Sequence, residues 1–413
     1  MLGPLRRYIV ILASLAVVPL TPAAQPSPDA DDPASIARPA VRVFTDKDGL
    51  PQNAINALAF DSQGYLWAAT KDGAAVYNGR EWRLVAFPPG LGSTWVQSIL
   101  VASDGTAWFG TVGGGVTRFT GREWQVFTRE SGLPGDEINA LIESRSETGA
   151  GTIYAGTNAG VARYEGDAWR RLPAIGDDPL ASTVRCLYES ASPDGGRVLW
   201  AGLNEGGVAR FVGGAWTRYT AATSGLPDDR VACLFETDLF DGRRVLVAGT
   251  EGGGLARFEN GAWTAYTGPL APPDPIVKCA RETAGAGGSR TLWIGTPSGL
   301  ARFAGGRWEL LTDRIQLPVR GIWSLLDTPE RTSAVGQPTP CPAAISVSIR
   351  SPTTSVSSFW VPSFSSASST KNGNGLPATI GSTPEAVTIT EYQAPAPGIS
   401  PRGVGNVLSG LVT

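Results

Sequence analysis

The chain has 413 residues, 42% of them hydrophobic, enough to bury the cores of two average domains or of one large repeat array. It contains no histidine, which excludes a Ser-His-Asp or Cys-His pair, an imidazole base, a histidine metal ligand and a phospho-accepting histidine. A formal net charge of −3 gives no reason to expect a nucleic acid as partner, because nucleic-acid binders present a basic surface.

Residues 1–24 read as a secretory signal peptide. Arg6 and Arg7 precede a largely apolar run from Tyr8 to Leu20, and the small residues Thr21, Ala23 and Ala24 follow. An uncleaved anchor is the alternative, although the run is shorter than the roughly 20 residues a bilayer span needs. No second apolar run of that length follows, so no membrane span is expected in the mature chain, and a periplasmic or secreted location is. Residues 25–40 are rich in Pro and Asp and read as a flexible linker.

Six copies of one unit then occupy the middle of the chain. They begin at Leu66, Ala107, Ile153, Leu199, Leu246 and Leu292, in forms such as LWAGLNEGGVARFVGGAWTRY, and place a Trp at positions 82, 124, 169, 216, 263 and 308. Each unit holds four short β-type runs: one like EINALIES, one like LWAG, one like GVARF and one like WTRY. Gly pairs and Asp-Gly steps separate the runs, as tight hairpins require. Four antiparallel strands in roughly 45 residues is the signature of a propeller blade, whose faces are buried only against neighbouring blades.

The predicted fold is therefore an all-β β-propeller, residues 41–328, with six full four-stranded blades and an incomplete seventh. Val41–Thr45 (VRVFT) has the character of a fourth strand without its first three. Leu317–Asp327 opens a seventh blade whose second strand does not follow. The ring closes best if the N-terminal strand completes that blade.

The pattern resembles the two-component regulator propeller repeat. The match is carried by Gly132-Leu133-Pro134, Gly225-Leu226-Pro227, Leu66-Trp67, Leu292-Trp293 and the Gly-Thr steps at 110–111, 156–157, 249–250 and 295–296. The resemblance implies the exported sensory half of a hybrid histidine kinase, or sometimes of a diguanylate cyclase, and many such sensors respond to carbohydrate fragments. The family usually adds further blades, an immunoglobulin-like domain, a membrane helix and an output domain. None of these is visible in the sequence, so signalling is expected to need another protein.

Residues 329–413 form a low-complexity Ser/Thr/Pro-rich tail, with fifteen Ser, one Trp and seven charged residues. Three readings stand side by side: a disordered or poorly packed extension, out-of-frame sequence fused within the seventh blade, or a remnant hairpin. In the last, Ala344–Ile349 pairs with Ser355–Val361 and supplies the missing strands.

Candidate functional residues come from the repeat columns. Cys186, Cys233 and Cys279 share one column with Ala57, Ser98, Ala140 and Ser324, which reads as a small-residue slot near the crowded axis. The column just before it holds Asn56, Gln97, Asn139, Arg185, Ala232, Lys278 and Trp323. If the innermost strand faces the central channel, this mostly polar ring either binds a hydroxylated ligand or merely lines a hydrated mouth. Trp95 and Trp323 fall off the usual Trp positions and are placed to stack on a sugar face. The candidate ligand-binding set is thus Asn56, Trp95, Gln97, Asn139, Arg185, Lys278 and Trp323.

Two further columns read as structural. Glu143, Glu189, Glu236, Glu282 and Asp327 recur at one position, where they cap turns or pair with a neighbouring Arg. Arg118, Arg163, Arg210, Arg257 and Arg302 recur in the third strand. Asp46-Lys47-Asp48-Gly49 lacks the closing Glu of a calcium loop and reads as a plain turn. No metal, cofactor or catalytic residue is expected.

The first function class is a non-enzymatic, exported binding module. Its partner is a small extracellular molecule such as an oligosaccharide, or a membrane-bound signalling protein. The second is a polysaccharide- or cyclic-peptide-directed lyase or hydrolase, disfavoured because the propeller lyases this fold resembles rely on His and a metal. The third is a truncated remnant without activity.

Overall fold

The structure is a computed structural model that describes residues 42–145, 151–192, 195–284, 290–312, 321–327, 344–349 and 359–362. The signal peptide, the linker, Cys341 and most of the tail lie outside these residues.

Six four-stranded antiparallel sheets occupy residues 55–84, 96–127, 138–171, 184–219, 231–265 and 279–310, here blades 1 to 6. In each, the strands lie in chain order, as hairpin connections dictate. The first strands run Ile55–Phe60, Val96–Val101, Ile138–Arg145, Val184–Ala191, Val231–Thr237 and Cys279–Ala284. Each first strand contacts that of the next blade. Ile322–Asp327, the first strand of blade 7, contacts those of blades 6 and 1, so the ring closes.

The seventh sheet is built from both ends of the propeller. Its order is Ile322–Asp327, Ala344–Ile349, Phe359–Pro362 and Arg42–Val43. Val43 pairs with Phe359, so the N-terminal segment supplies the fourth strand, as expected from VRVFT. The second and third strands, which the blade motif does not reveal, come from the span read as tail. Ile345 pairs with Leu326's neighbour Asp327 on one side and with Val361 on the other. The hairpin reading of AISVSI thus gives the arrangement observed, and blade 7 carries four strands rather than two.

The core lies between blades. Second strands such as Leu66–Thr70 and Ala107–Thr111 are buried at every position because neighbouring blades cover both faces, so their sequences are continuous apolar runs rather than alternations. Aromatics fill several of the interfaces. Trp108 of blade 2 meets Tyr164 of blade 3 with ring centroids 4.8 Å apart, and Trp200 of blade 4 meets Phe258 of blade 5 at 5.1 Å. Phe44, 5% exposed, stands 4.8 Å from Tyr77 and 5.5 Å from Trp82, which fastens the N-terminal segment to blade 1.

The Gly-Thr step has two separable causes. The Thr hydroxyl is buried and donates across its own hairpin: Thr70 to the Gly73 carbonyl, Thr111 to Gly115, Thr157 to Gly160, Thr250 to Gly254 and Thr296 to Gly299. The Gly faces the first strand at closest approach. A Cβ on Gly249 would sit 2.5 Å from the Cys233 sulfur and 3.0 Å from Val277 of the next blade. Gly202 and Gly295 stand in the same relation to Cys186 and Cys279.

Helix is confined to single turns, and no helix among the described residues is long and apolar enough to cross a membrane.

Candidate functional site

The first strand of a blade does not run straight into its ladder. Ile55 pairs with Thr70 and Ala57 with Ala69, so the register shifts at Asn56, which is an extra residue on its strand. The same bulge falls at Gln97, Asn139, Arg185, Ala232 and Trp323. In blade 6 the ladder begins at Cys279, and Lys278 stands just outside it. A bulged residue leaves the pleat and is re-aimed. Here it is re-aimed into the axis: all seven of these residues line one cavity of about 540 Å³. The column named from the sequence is therefore a real ring, and its polar character follows from its position in the bulge.

The ring members are not equivalent. Asn56 donates from Nδ2 to the Val96 carbonyl at 2.7 Å, and Asn139 donates likewise to the Val184 carbonyl at 3.0 Å. Each amide ties its blade to the next one and so has a bridging role. Arg185 and Lys278 reach instead towards Glu251. Arg185 Nη2 lies 2.7 Å and Lys278 Nζ 2.5 Å from the same atom, Glu251 Oε1. Arg185 Nη1 also donates to Asn204 Oδ1 at 3.1 Å. Lys278 Nζ sits over the Trp323 ring, 4.6 Å from its centroid. Ala232, on blade 5, holds the column position between those of the two cations.

The Glu251 side chain is 14% exposed, that of Lys278 12% and that of Arg185 28%. Burial pushes the Glu251 carboxyl up, but the hydrogen bond from Lys278 and the charges of Arg185 and Lys278 outweigh it and hold the group below the usual carboxylate range. The cluster carries two positive charges against one negative.

Trp95 does not belong to the ring. It precedes the bulge by two residues, lies outside the cavity lining, and carries Lys71 Nζ 4.6 Å from its ring centroid. Glu251, Asn204 and Glu137 were not singled out from the sequence. Asn204 and Glu251 occupy one repeat column, the residue after the Gly-Thr or Gly-Leu step, with Lys71, Val112 and Asn158. The backbone N–H of Asn204 donates to the Thr183 carbonyl and that of Glu251 to the Arg230 carbonyl, just before the bulges. That column therefore stands beside the ring, and aligning it would have exposed both residues.

The Cys slot behaves as a packing position. The three thiols are free. Burial pushes the Cys186 and Cys279 thiols up to about 12 and Cys233 well above its ordinary value, so none is a thiolate near neutrality. Among the described residues no group of three or more Cys, Asp or Glu is placed to hold a metal.

The repeated carboxylates tie blades together away from the ring. Glu143 accepts from the Ser103 N–H and hydroxyl of blade 2, and Glu189 from the Ser144 hydroxyl of blade 3. Glu236 accepts from Tyr188 of blade 4 and Glu282 from Thr237 of blade 5. Arg197, Arg244 and Arg290, at the start of the second strands, hold the last three carboxylates from within their own blades. The third-strand Arg column has other partners, such as Tyr164 for Arg118 and Asp241 for Arg257. Asp46–Asp48 forms a single 3-10 turn closed by Gly49 at φ 103°, the plain turn expected.

The sequence model of the family described as two component regulator propeller matches residues 49–72. No curated protein matches the chain in sequence. Among solved structures, the extracellular domain of the putative hybrid two component system BT4673 from B. thetaiotaomicron is similar at a TM-score of 0.56 and 15% identity. The match covers 79% of this chain but only 40% of that one, so the present chain spans less than half its length. A catalytically inactive virginiamycin B lyase from Staphylococcus aureus, solved with quinupristin, is similar at a TM-score of 0.55 and 15% identity, with 78% and 98% of the two chains covered. YCF48 bound to D1 peptide gives 0.52 and 16%, with 79% and 97% covered. At these identities the likeness is one of fold.

Proposed function

From the premise that this chain carries the two-component regulator propeller repeat, we propose that it is the ligand-binding part of an exported sensor, non-enzymatic, with its site in the central channel. The observation that carries the reading is the bulge ring, which turns seven side chains from seven blades into one cavity large enough for a small sugar. The ligand is a small extracellular molecule bearing hydroxyl groups, an oligosaccharide by class. Trp323 offers an aromatic face, while Gln97 and the polar groups beside it offer hydrogen bonds. The signal passes to a membrane-bound signalling protein. Likeness in fold to the extracellular domain of a hybrid system supports the setting. The propeller lyase shares the fold, but this sequence holds no His with which to repeat a His-dependent chemistry.

The test is a thermal-shift screen of the full chain against neutral and acidic oligosaccharides. A ligand at 100 times its Kd stabilises the protein by about 2.7 kcal/mol, a readily visible shift. Trp323→Ala is expected to weaken the response while the free protein still unfolds cooperatively. If no sugar stabilises the protein, or if Trp323→Ala binds as the parent does, the reading fails.

A further inference from the structure

The charge in the ring is lopsided. The cations lie on blades 4 and 6, at Arg185 and Lys278, and both pair with the carboxylate of Glu251. Both bond one oxygen of that carboxylate, so the three side chains form a unit with a net charge of +1. Its members are largely shielded from water, where an uncompensated charge is unfavourable and an incoming counter-charge is strongly held. Glu137, which lines the cavity from blade 3, belongs to neither ion pair of this unit.

The unit also keeps donors in reserve. Arg185 has five N–H groups in a planar fork and Lys278 has three. Asn204 accepts from Arg185 through its amide oxygen, which leaves the two N–H bonds of that amide as donors. Ala232, on the blade between the two cations, adds only a methyl group to the cavity wall, so an oxyanion can approach Arg185 and Lys278 from the cavity.

We propose that Arg185, Lys278 and Asn204 form a subsite for a carboxylate group of the channel ligand, with Trp323 beside it to stack on the body of the same molecule. A carboxylate matches the excess of one positive charge. A dianion such as phosphate would leave a net negative charge in the same shielded place. The two oxygens of a carboxylate also suit the guanidinium fork. The ligand class is therefore an acidic sugar, of which a uronic-acid oligosaccharide is the simplest form. The stacking half of this assignment rests on the proposed sugar-binding role of the channel, whereas the carboxylate half stands on the cation cluster.

Isothermal titration of the full chain with matched pairs separates the two. The pairs are cellobiose with cellobiouronic acid and glucose with glucuronate, with propionate as a single carboxylate on a non-sugar body. The acid is expected to bind about tenfold or more tightly than its neutral partner, as a charge-assisted pair would give. The preference is expected to shrink as salt is raised. Arg185→Gln and Lys278→Gln should each reduce it to about twofold or less. Each variant leaves Glu251 one cation, and thermal unfolding of the free protein checks that the fold survives. Equal binding of acid and neutral sugar overturns the carboxylate subsite and leaves the sugar-binding role intact. Binding of propionate alone, lost in both variants, upholds the subsite and overturns the sugar. A preference unchanged in both variants, or no binding by any of these compounds, overturns the assignment.

Discussion

Glu251 is the residue on which the channel wall most depends, and Glu251→Gln is the perturbation that shows it. Arg185 and Lys278 bond one oxygen at 2.7 and 2.5 Å, which puts their nitrogens no more than about 5 Å apart. With the carboxylate neutralised, two like charges at that separation repel by about 3 kcal/mol at an effective dielectric of about 20. Arg185 is 28% exposed and can swing partly into solvent, so the observed loss should be nearer 2 kcal/mol. Urea denaturation at low and high salt measures it, and the loss should shrink at high salt. Lys278→Gln added to Glu251→Gln removes the repulsion and should recover about half of the loss, a coupling read from the double-mutant cycle. The pH dependence follows in sign. The folded-state pKa of Glu251 lies below that of the unfolded chain, so its contribution is fully present above the unfolded value of about 4.3 and is lost as pH falls through the folded value. Glu251→Gln should lack that part of the acid limb. A variant within about 0.5 kcal/mol of the parent at both salts would refute the reasoning, since such a loss is no more than an ordinary surface substitution gives.

Three further outcomes are expected. Gly249→Ala should destabilise by about 1–3 kcal/mol, because its Cβ would meet the Cys233 sulfur at 2.5 Å, and Cys233→Ala should restore part of the loss, as the Ala57–Ala69 pair of blade 1 shows to be possible; urea midpoints report both. Phe44→Ala should cost about 3–4 kcal/mol by emptying the space between Tyr77 and Trp82, and proteolysis should then cut first near the N-terminal strand of blade 7. In a Cys341→Ser background, Cys186, Cys233 and Cys279 should resist a thiol reagent at pH 8 and react only in denaturant; rapid labelling of the native protein would contradict their burial.

The blades were legible because each strand speaks in local chemistry. Gly pairs mark hairpins, Trp and Phe mark the interfaces, and the 45-residue period shows that no blade stands alone. The seventh blade was harder for a physical reason. Its middle strands lack the LWxG and GVARF residues, and their pairing is specified by backbone hydrogen bonds to Ile322–Asp327 and Arg42–Val43, which leave little trace in side-chain type. AISVSI betrayed itself only by alternation. The ring column was legible as a column, but the bulge that makes it face the axis was not, because a bulge is a property of register between two strands. Trp95 stands two residues before its bulge and outside the cavity lining, a placement that its rarity at that position does not reveal. Glu251 escaped because its partners lie 66 and 27 residues away, at Arg185 and Lys278, and only the packing of consecutive blades brings them together.

The repeat also explains where a propeller of this kind can evolve a site. Most columns are held by packing from two sides: the Gly opposite Cys233 has no room for a Cβ, and second strands such as Leu66–Thr70 and Ala107–Thr111 have no solvent-facing position. The inter-blade carboxylates are held by hydrogen bonds to the preceding blade, as Glu236 is to Tyr188. The bulged residue is different. It lies where the ladder register shifts, sits half-buried and lines the cavity, so its side chain is not packed between two sheets. The chain shows this freedom within itself, since the same place holds Asn, Gln, Arg, Ala, Lys and Trp. Asn56 and Asn139 use it to brace the next blade, while Arg185 and Lys278 use it to concentrate charge around one carboxylate. A column that packing leaves this free is where ligand chemistry can be written into an otherwise repetitive scaffold.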